Sequence, residues 1–321
     1  MPTEKQSREL DSTRHQLLSK VAWLYYIDEH TQAEIADKLG ISRVTINRLI
    51  KEARETGVVE IKVHSDFSDA FELGQRLSNK FNLRDAVVTP MADSDEALNA
   101  VIAQAAAEVL MQRLKEGLTI GVGIGRTLSQ IPDFFHPVAA VPCRFIGLTG
   151  GLDFRQTGVP HSFNTLARLA SATNGEAVYI PAPSYVAYAS VKNALLSEQT
   201  VIHSLELAAA CEIAIFSIGT ADYSALLYQF NQISEKDLED MHRNLAIGDV
   251  LGRFFNQDGQ ELDLDLNQRI IGLGLEELKK IPLKILVAGG KHKREALQVA
   301  VSHQFCDILV TDAVSAAWLL E

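Results

Sequence analysis

Two short stretches of this 321-residue chain carry residue types suited to holding an anion. The first is Gly121-Val122-Gly123-Ile124-Gly125-Arg126-Thr127, a glycine-rich run that follows a strand-like segment and ends in a cation and a hydroxyl. Glycines let backbone N–H groups approach an anion closely, and the Thr-Leu-Ser-Gln-Ile that follows would begin a helix whose N-terminus favours negative charge. The spacing is GxGxG, so neither a Walker loop with GK[ST] nor the GxGxxG dinucleotide fingerprint is present. A plain tight turn is the alternative for this loop alone. The second stretch, "AGGKHKREALQVAV", sets Lys291, Lys293 and Arg294 beside the first turn of a helix. Cations are disfavoured at that end of the macrodipole, and a bound phosphate would compensate, as against a solvated basic loop. Asp249 in "GDVLGRFF" and Asp312 in "VTDAVS" place carboxylates near strand ends, suited to accepting hydrogen bonds from hydroxyls. A helix cap or turn is the competing role for both, strongly so for Asp312.

These residues need a scaffold, and the apolar pattern supplies one. Strand-like runs occur at "DAVVTP", "LTIGVGIG", "CRFIGLTGG", "AVYIPAP", "EIAIFSIGT", "LKILVAGG" and "DILVTD", most of them separated by helical stretches. One such stretch runs from Asp93 to Lys115 and starts with an Asp93/Glu96 capping box. Buried runs alternating with helices indicate a largely parallel sheet in an α/β domain. Several runs end in Gly, Thr or Asp, and ligands in open α/β sheets bind beyond the carboxyl ends of strands, so these endings point to one shared crevice. Ahead of the first run, Phe67, Ala70, Phe71, Gly74, Leu77 and Phe81 fall on one helical stripe, which leads into the second domain or packs on a partner subunit.

The N-terminal part reads differently. Leu17, Leu18, Val21, Trp23, Leu24 and Ile27 recur at helical spacing; "TQAEIADKLG" gives a short second helix capped by Thr31 and stopped by Gly40. Ser42 caps a third, "RVTINRLIKEARET", that ends at Gly57. A small residue at Ala36, a turn glycine at Gly40 and anchors at Ile46 and Leu49 make the helix-turn-helix arrangement. On the third helix Val44, Ile46, Leu49, Ile50 and Ala53 are assigned to packing. Arg43, Thr45 and Asn47, with Arg48, are placed to meet base edges, and Ser42 and Lys51 to meet phosphates. "VVEIKV" alternates like a strand and would form part of a wing. An ordinary helical hairpin with a solvated face is the weaker alternative.

Charge and composition agree with this division. Residues 1–62 hold ten Lys/Arg and ten Asp/Glu, so the whole net charge of −11 lies in residues 63–321. A neutral module with a local basic face is thus joined to an acidic domain that phosphate backbones would not attract. Cys143, Cys211 and Cys306 are far apart with no metal-ligand spacing, as expected of buried thiols in a reducing compartment. The polar start and the absence of a long apolar run lead to the expectation of a cytoplasmic protein with no membrane partner.

From "AWLYYIDEHTQAEIADKLGISRVTINRLIKEARETGVVEIKV" through "GVGIGRTL", "LTGGL", "IPAP", "GDVLGRFF", "ILVAGGKHKREAL" and "ILVTDAVSAAWLL", in that order, the chain resembles the SorC family of bacterial sugar-responsive transcription regulators. The resemblance covers almost the whole length. It implies a small winged helix-turn-helix domain, residues 1–62, that binds double-stranded operator DNA. It also implies a Rossmann-like α/β domain, residues 63–321, related in fold to ribose-5-phosphate isomerase, glucosamine-6-phosphate deaminase and CoA-transferase domains. That domain would bind a phosphorylated sugar or polyol and assemble a homo-tetramer, with no cofactor, metal or catalytic set. By motif the resemblance puts Gly123, Gly125, Arg126 and Thr127 in the phosphate-side loop and Asp249, Lys293 and Asp312 among the polar contacts. Here the late TD motif continues as "TDAV", departing from the acidic or amide residue that often follows it in the family. The rival reading is an isomerase or deaminase of sugar phosphates carrying a DNA-binding appendage, with Lys293 and the two aspartates as acid–base groups. A structural DNA-binding protein without a small ligand is the third.

Overall fold

Helices α1 (Glu4–Tyr26), α2 (Gln32–Leu39) and α3 (Arg43–Glu55) build the first of two units, Met1–Ser65 and Asp66–Glu321. The protein is described here by a computed structural model covering residues 4–59, 68–135, 141–151 and 162–321. The second helix starts and stops as its sequence dictates. Thr31 Oγ1 accepts the Glu34 N–H, the Glu34 carboxylate accepts the Thr31 N–H at 2.8 Å, and Gly40 ends the helix at φ 66. A reciprocal cap of this kind is worth about 1 kcal/mol. Ser42 Oγ accepts the Thr45 N–H at 3.2 Å and opens α3. The three helices close over Leu18, Val21, Ile35, Ile46, Leu49, Ile50 and Ala53.

Three side chains assigned to this core are outside it. Trp23 and Ile27 are each 61% exposed and Val44 is 81% exposed. Helical geometry explains two of them, because Trp23 lies two residues, about 200°, beyond buried Val21, and Val44 lies as far from buried Ile46, while Ile27 falls just past the end of α1 at Tyr26. The wing strand expected at "VVEIKV" falls, from Glu60 onward, outside the described residues. Val58 and Val59 form a bend that packs on the helices, with Val59 N–H donating to Ala53 O.

In the second unit all seven apolar runs become strands. They are β1 (Asp85–Thr89), β2 (Thr119–Val122), β3 (Arg144–Gly147), β4 (Glu176–Val178) and β5 (Ile213–Phe216), and late in the chain β9 (Leu283–Val287) and β10 (Ile308–Asp312). They pair in parallel in the order β1-β10-β9-β5-β2-β3-β4. Helices cover both faces, so alternate residues of one strand enter different cores. Ile213 and Ile215 join the cluster of Ile120, Phe145 and Val287, while Ala214 and Phe216 join that of Ile146, Leu286 and Leu309. This two-faced burial is why the runs read as continuous apolar segments. The three cysteines are buried and free, with burial pushing Cys211 and Cys306 up to about 12.

The stretch after β5 departs from the sequence reading. "EIAIFSIGT" splits at Ser217, and its end forms β6 (Ile218–Thr220) of a separate antiparallel sheet with β7 (Gly248–Val250) and β8 (Arg253–Phe255). The β7–β8 turn is Leu251-Gly252, both at positive φ (54 and 81), the signature of a two-residue hairpin loop. Helix Ser68–Phe81 buries Ala70 and Leu77 but leaves Phe71 71% exposed. The helix expected from Asp93 spans Asp95–Met111, and Ser94 rather than Asp93 caps it, its Oγ accepting the Ala97 N–H at 3.2 Å.

Asp312, expected among ligand contacts, is a structural cap. One carboxylate oxygen accepts the N–H groups of Val314 and Ser315 at 3.0 and 2.9 Å. The other accepts the Gly290 N–H at 2.9 Å and the Ser315 hydroxyl at 2.6 Å. The side chain is buried and its acceptor sites are filled by protein. Asp312→Ala strands two or more buried donors, and we expect a loss of about 2–4 kcal/mol in denaturant unfolding. A loss under about 0.5 kcal/mol would contradict the capping role.

Candidate functional site

The strand order reverses beside β2: the chain steps from β2 to β3 and β4 on one side, then returns to lay β5 on the other. In a parallel sheet such a switch point opens a crevice beyond the carboxyl ends. A cavity of about 150 Å³ lies there, walled by Gly125 and Arg126 after β2, Ser217 after β5, and His292 and Lys293 after β9. Thr149 after β3 and Ser184 and Tyr185 after β4 close the other side, and Asp95 and Asn99 come from helix Asp95–Met111. The volume holds on the order of ten waters, the scale of a small metabolite.

The structure brings together four of the seven residues expected here: Gly125, Arg126, Asp249 and Lys293 all line the cavity. Thr127 stands behind the wall, its hydroxyl donating to Asn99 Oδ1 at 2.7 Å and so fixing Asn99, which does face the cavity. Gly123 does not reach it. Its N–H donates to Ile215 O within the sheet, and a Cβ there would press on Phe216 and Leu251 at 3.1 and 3.2 Å, so this glycine serves packing. Asp312 does not reach it either, for the reason given above.

The charges in the cavity are poorly compensated. Asp249 reaches it from the small sheet, where it pairs opposite Gly219, and a Cβ on Gly219 would collide with its Oδ1. Glycine at 219 therefore makes room for the carboxylate. Desolvation pushes Asp249 up to about 6, against the pull of the Gly252 N–H, which its Oδ2 accepts at 2.9 Å, and of Lys293. Desolvation draws Lys293 down to about 8, partly opposed by Asp249 and assisted by Arg126. His292 is held below its usual range by desolvation, then Lys293, with Arg126 adding to the effect against Asp95 and Asp222. Arg126 donates to Gln229 and lies 5.9 Å from the Phe230 ring. Among the described residues, Thr149 Oγ1 is buried on the wall without a hydrogen-bond partner. Thr149, Tyr185, Asn99 and His292 were not singled out from sequence; the runs "LTGG" and "IPAP" marked only the loops that carry two of them. No group of His, Cys, Asp and Glu among the described residues is placed to hold a metal ion.

A second surface lies on α3. Buried Ile46, Leu49, Ile50 and Ala53 form one stripe, and Val44, Asn47, Arg48 and Lys51 repeat the same spacing on the opposite, exposed face, with Arg43 beside them. Among the described residues Arg43, Asn47 and Arg48 have no side-chain partner, and Lys51 has only an exposed pairing with Glu55 at 3.6 Å. Ser42 and Thr45 share their hydroxyls at 2.8 Å in the helix cap.

Comparison with known proteins divides the chain into two matching segments. Residues 65–321 match the family described as "Putative sugar-binding domain", and residues 20–56 match sigma-70 region 4. The chain belongs to the SorC family of transcription regulators, which join a helix-turn-helix to a sugar-binding domain, and it is not an enzyme. The deoxyribonucleoside regulator of Bacillus subtilis (strain 168) is 30% identical over 312 residues, 97% of this chain and 99% of that one. The transcriptional regulator LsrR of Escherichia coli O157:H7 is 31% identical over 311 residues, 94% of each chain. The full-length sorbitol operon regulator SorC from Klebsiella pneumoniae superposes with a TM-score of 0.72 at 25% identity, covering 96% of this chain and 99% of that one. No helix among the described residues is long and apolar enough to cross a membrane.

The two shifted charges set a pH dependence. Between about pH 4 and 6 the folded chain holds a proton at Asp249 that the unfolded chain has lost, so stability from this group falls as pH rises through that window. Between about 8 and 10.5 the unfolded chain holds the extra proton at Lys293, so stability is regained as pH rises there. The ligand-free cavity is therefore most costly between about pH 6 and 8. Asp249→Asn should stabilise the ligand-free protein by about 1–2 kcal/mol at pH 7, with the gain vanishing toward pH 4. Thermal unfolding across that range checks it, and a gain independent of pH would contradict the assignment.

Proposed function

We propose that the cavity receives a phosphorylated sugar or polyol, and that its occupancy changes the affinity of the α3 face for operator DNA. The observation that carries this reading is the gathering of Arg126, His292 and Lys293 from the ends of β2 and β9, across Ser217. Desolvation is the main cause that lowers the protonation of both other groups and Arg126 adds to it in each, so the three share one electropositive field that a phosphate would relieve. Gly125 belongs to the phosphate side with Arg126, and Thr127 supports it through Asn99. Toward β3 and β4 the wall turns to hydroxyls, Thr149, Ser184 and Tyr185, with the Asp249 carboxylate nearby, which suits the hydroxyls of a sugar. The relatives carry names of regulators of deoxyribonucleoside and sorbitol use, in keeping with such a ligand.

On the same reading residues 1–62 are the DNA-binding module, in which Arg43, Thr45, Asn47 and Arg48 meet base edges and Ser42 and Lys51 meet phosphates. Residues 63–321 are the effector-binding and oligomerisation module of a cytoplasmic homo-tetramer. The exposed Phe71 on the first helix of that unit is suited to a subunit contact. The ligand acts by favouring one arrangement of the assembly and hence one spacing of the recognition helices.

The test is a titration of a labelled DNA fragment from upstream of the gene with the full chain and a panel of phosphorylated sugars and polyols. Arg43→Ala or Arg48→Ala should weaken specific DNA binding about tenfold and leave ligand-induced thermal stabilisation intact. Lys293→Ala should leave DNA binding intact and shift the ligand response by tenfold or more. An unchanged dose–response for Lys293→Ala, or equal loss of both activities in a folded arginine variant, would overturn the assignment of the two sites.

A further inference from the structure

Val44 has no structural reason to be where it is. It lies in the first turn of α3, 81% exposed, two residues from the buried stripe and at the N-terminal end of the outward face formed with Asn47, Arg48 and Lys51. A β-branched residue on an exposed helical surface is a poorer helix former than alanine, and its apolar surface is left in water. The fold gains nothing from this side chain. Its neighbours are polar and cationic: Arg43 precedes it, Asn47 and Arg48 follow at one turn, and Lys51 at two. Lys51 suits a flanking phosphate of a duplex and Arg43, Asn47 and Arg48 suit its base edges, which leaves one apolar group facing the floor of a groove.

We propose that Val44 reads the 5-methyl group of a thymine in the major groove, and so fixes one base of each half-site. This rests on the DNA-binding role of α3. The thymine methyl is the one apolar group on a base edge in that groove, and a small aliphatic side chain recognises it by contact. Val44 sits near the N-terminus of the helix, the end that reaches base edges in helix-turn-helix proteins. The arrangement divides the labour along one stripe: Asn47 and Arg48 offer hydrogen-bond donors to purine edges, Lys51 neutralises a phosphate, and Val44 tells thymine from cytosine or uracil by one methyl group.

The test uses the full chain and a duplex enriched by it from a random-sequence library. Each thymine is replaced singly by deoxyuridine, which removes the methyl and leaves base pairing unchanged. The wild-type protein should lose about three- to tenfold in affinity at one thymine of each half-site, as expected for burial of one methyl group. Val44→Ala, exposed and compatible with the helix, should bind the parent duplex weaker by a similar factor and show no further loss with deoxyuridine at that position. If no deoxyuridine changes wild-type binding, or if Val44→Ala keeps the same penalty, the proposal is wrong while DNA binding by α3 stands. If no duplex is enriched at all, the DNA-binding role of α3 fails and the proposal fails with it.

Discussion

Every strand of the seven-stranded sheet runs the same way, so every loop that follows a strand emerges at one edge. That constraint brings residues nearly 170 positions apart, Arg126 and Lys293, to the same cavity wall. The reversal of strand order between β2 and β5 then leaves a gap where no crossover helix covers the edge, and the cavity occupies it. The small sheet supplies the rest. By splitting away from β5 at Ser217, the chain carries β6 up beside β7 and hangs the Asp249 carboxylate over Gly219, toward the same opening.

The cavity is a place where the fold accepts a cost. Lys293 and Asp249 are both drawn toward neutrality by desolvation, His292 is pushed the same way, and the buried Thr149 hydroxyl has no partner among the described residues. Outside the cavity some buried polar groups are well satisfied, as in the Lys284–Asp307 pair at 2.8 Å or the four bonds to Asp312, although Thr89 Oγ1, Thr311 Oγ1 and Arg294 Nε also lack a hydrogen-bond partner among the described residues. Several desolvated ionisable groups gathered in one crevice are what a binding site requires, since a ligand can then supply the missing partners. On α3 one stripe is fully packed, and the opposite stripe is exposed, its one side-chain pairing among the described residues being Lys51 with Glu55.

Much of this was legible in the sequence because the relevant signals are local. The caps at Thr31 and Ser42, the glycine stop at Gly40 and the seven apolar runs each depend on a few adjacent residues. What escaped depends on partners far away or on uncommon turn chemistry. The β7–β8 hairpin turns on Leu251-Gly252, where leucine takes a left-handed conformation that sequence rules reserve for Asn or Asp. Gly123 and Gly125 look equivalent in GxGxG, yet Gly123 still lies against Phe216 in the sheet and Gly125 has left it. Asp312 offers the same side chain as Asp249, and only the position of Gly290 and Ser315 decides that it is a cap. Trp23 and Val44 are apolar in type, but helical phase turns them to solvent.

The central claim is that an anion completes the field of Arg126, His292 and Lys293. Calorimetric titration of the full chain with matched pairs of sugars, each with and without its phosphate, addresses it most directly. The account predicts that at least one phosphorylated member binds and that its unphosphorylated counterpart binds at least tenfold more weakly. Equal affinity for both members of every pair that binds would contradict it.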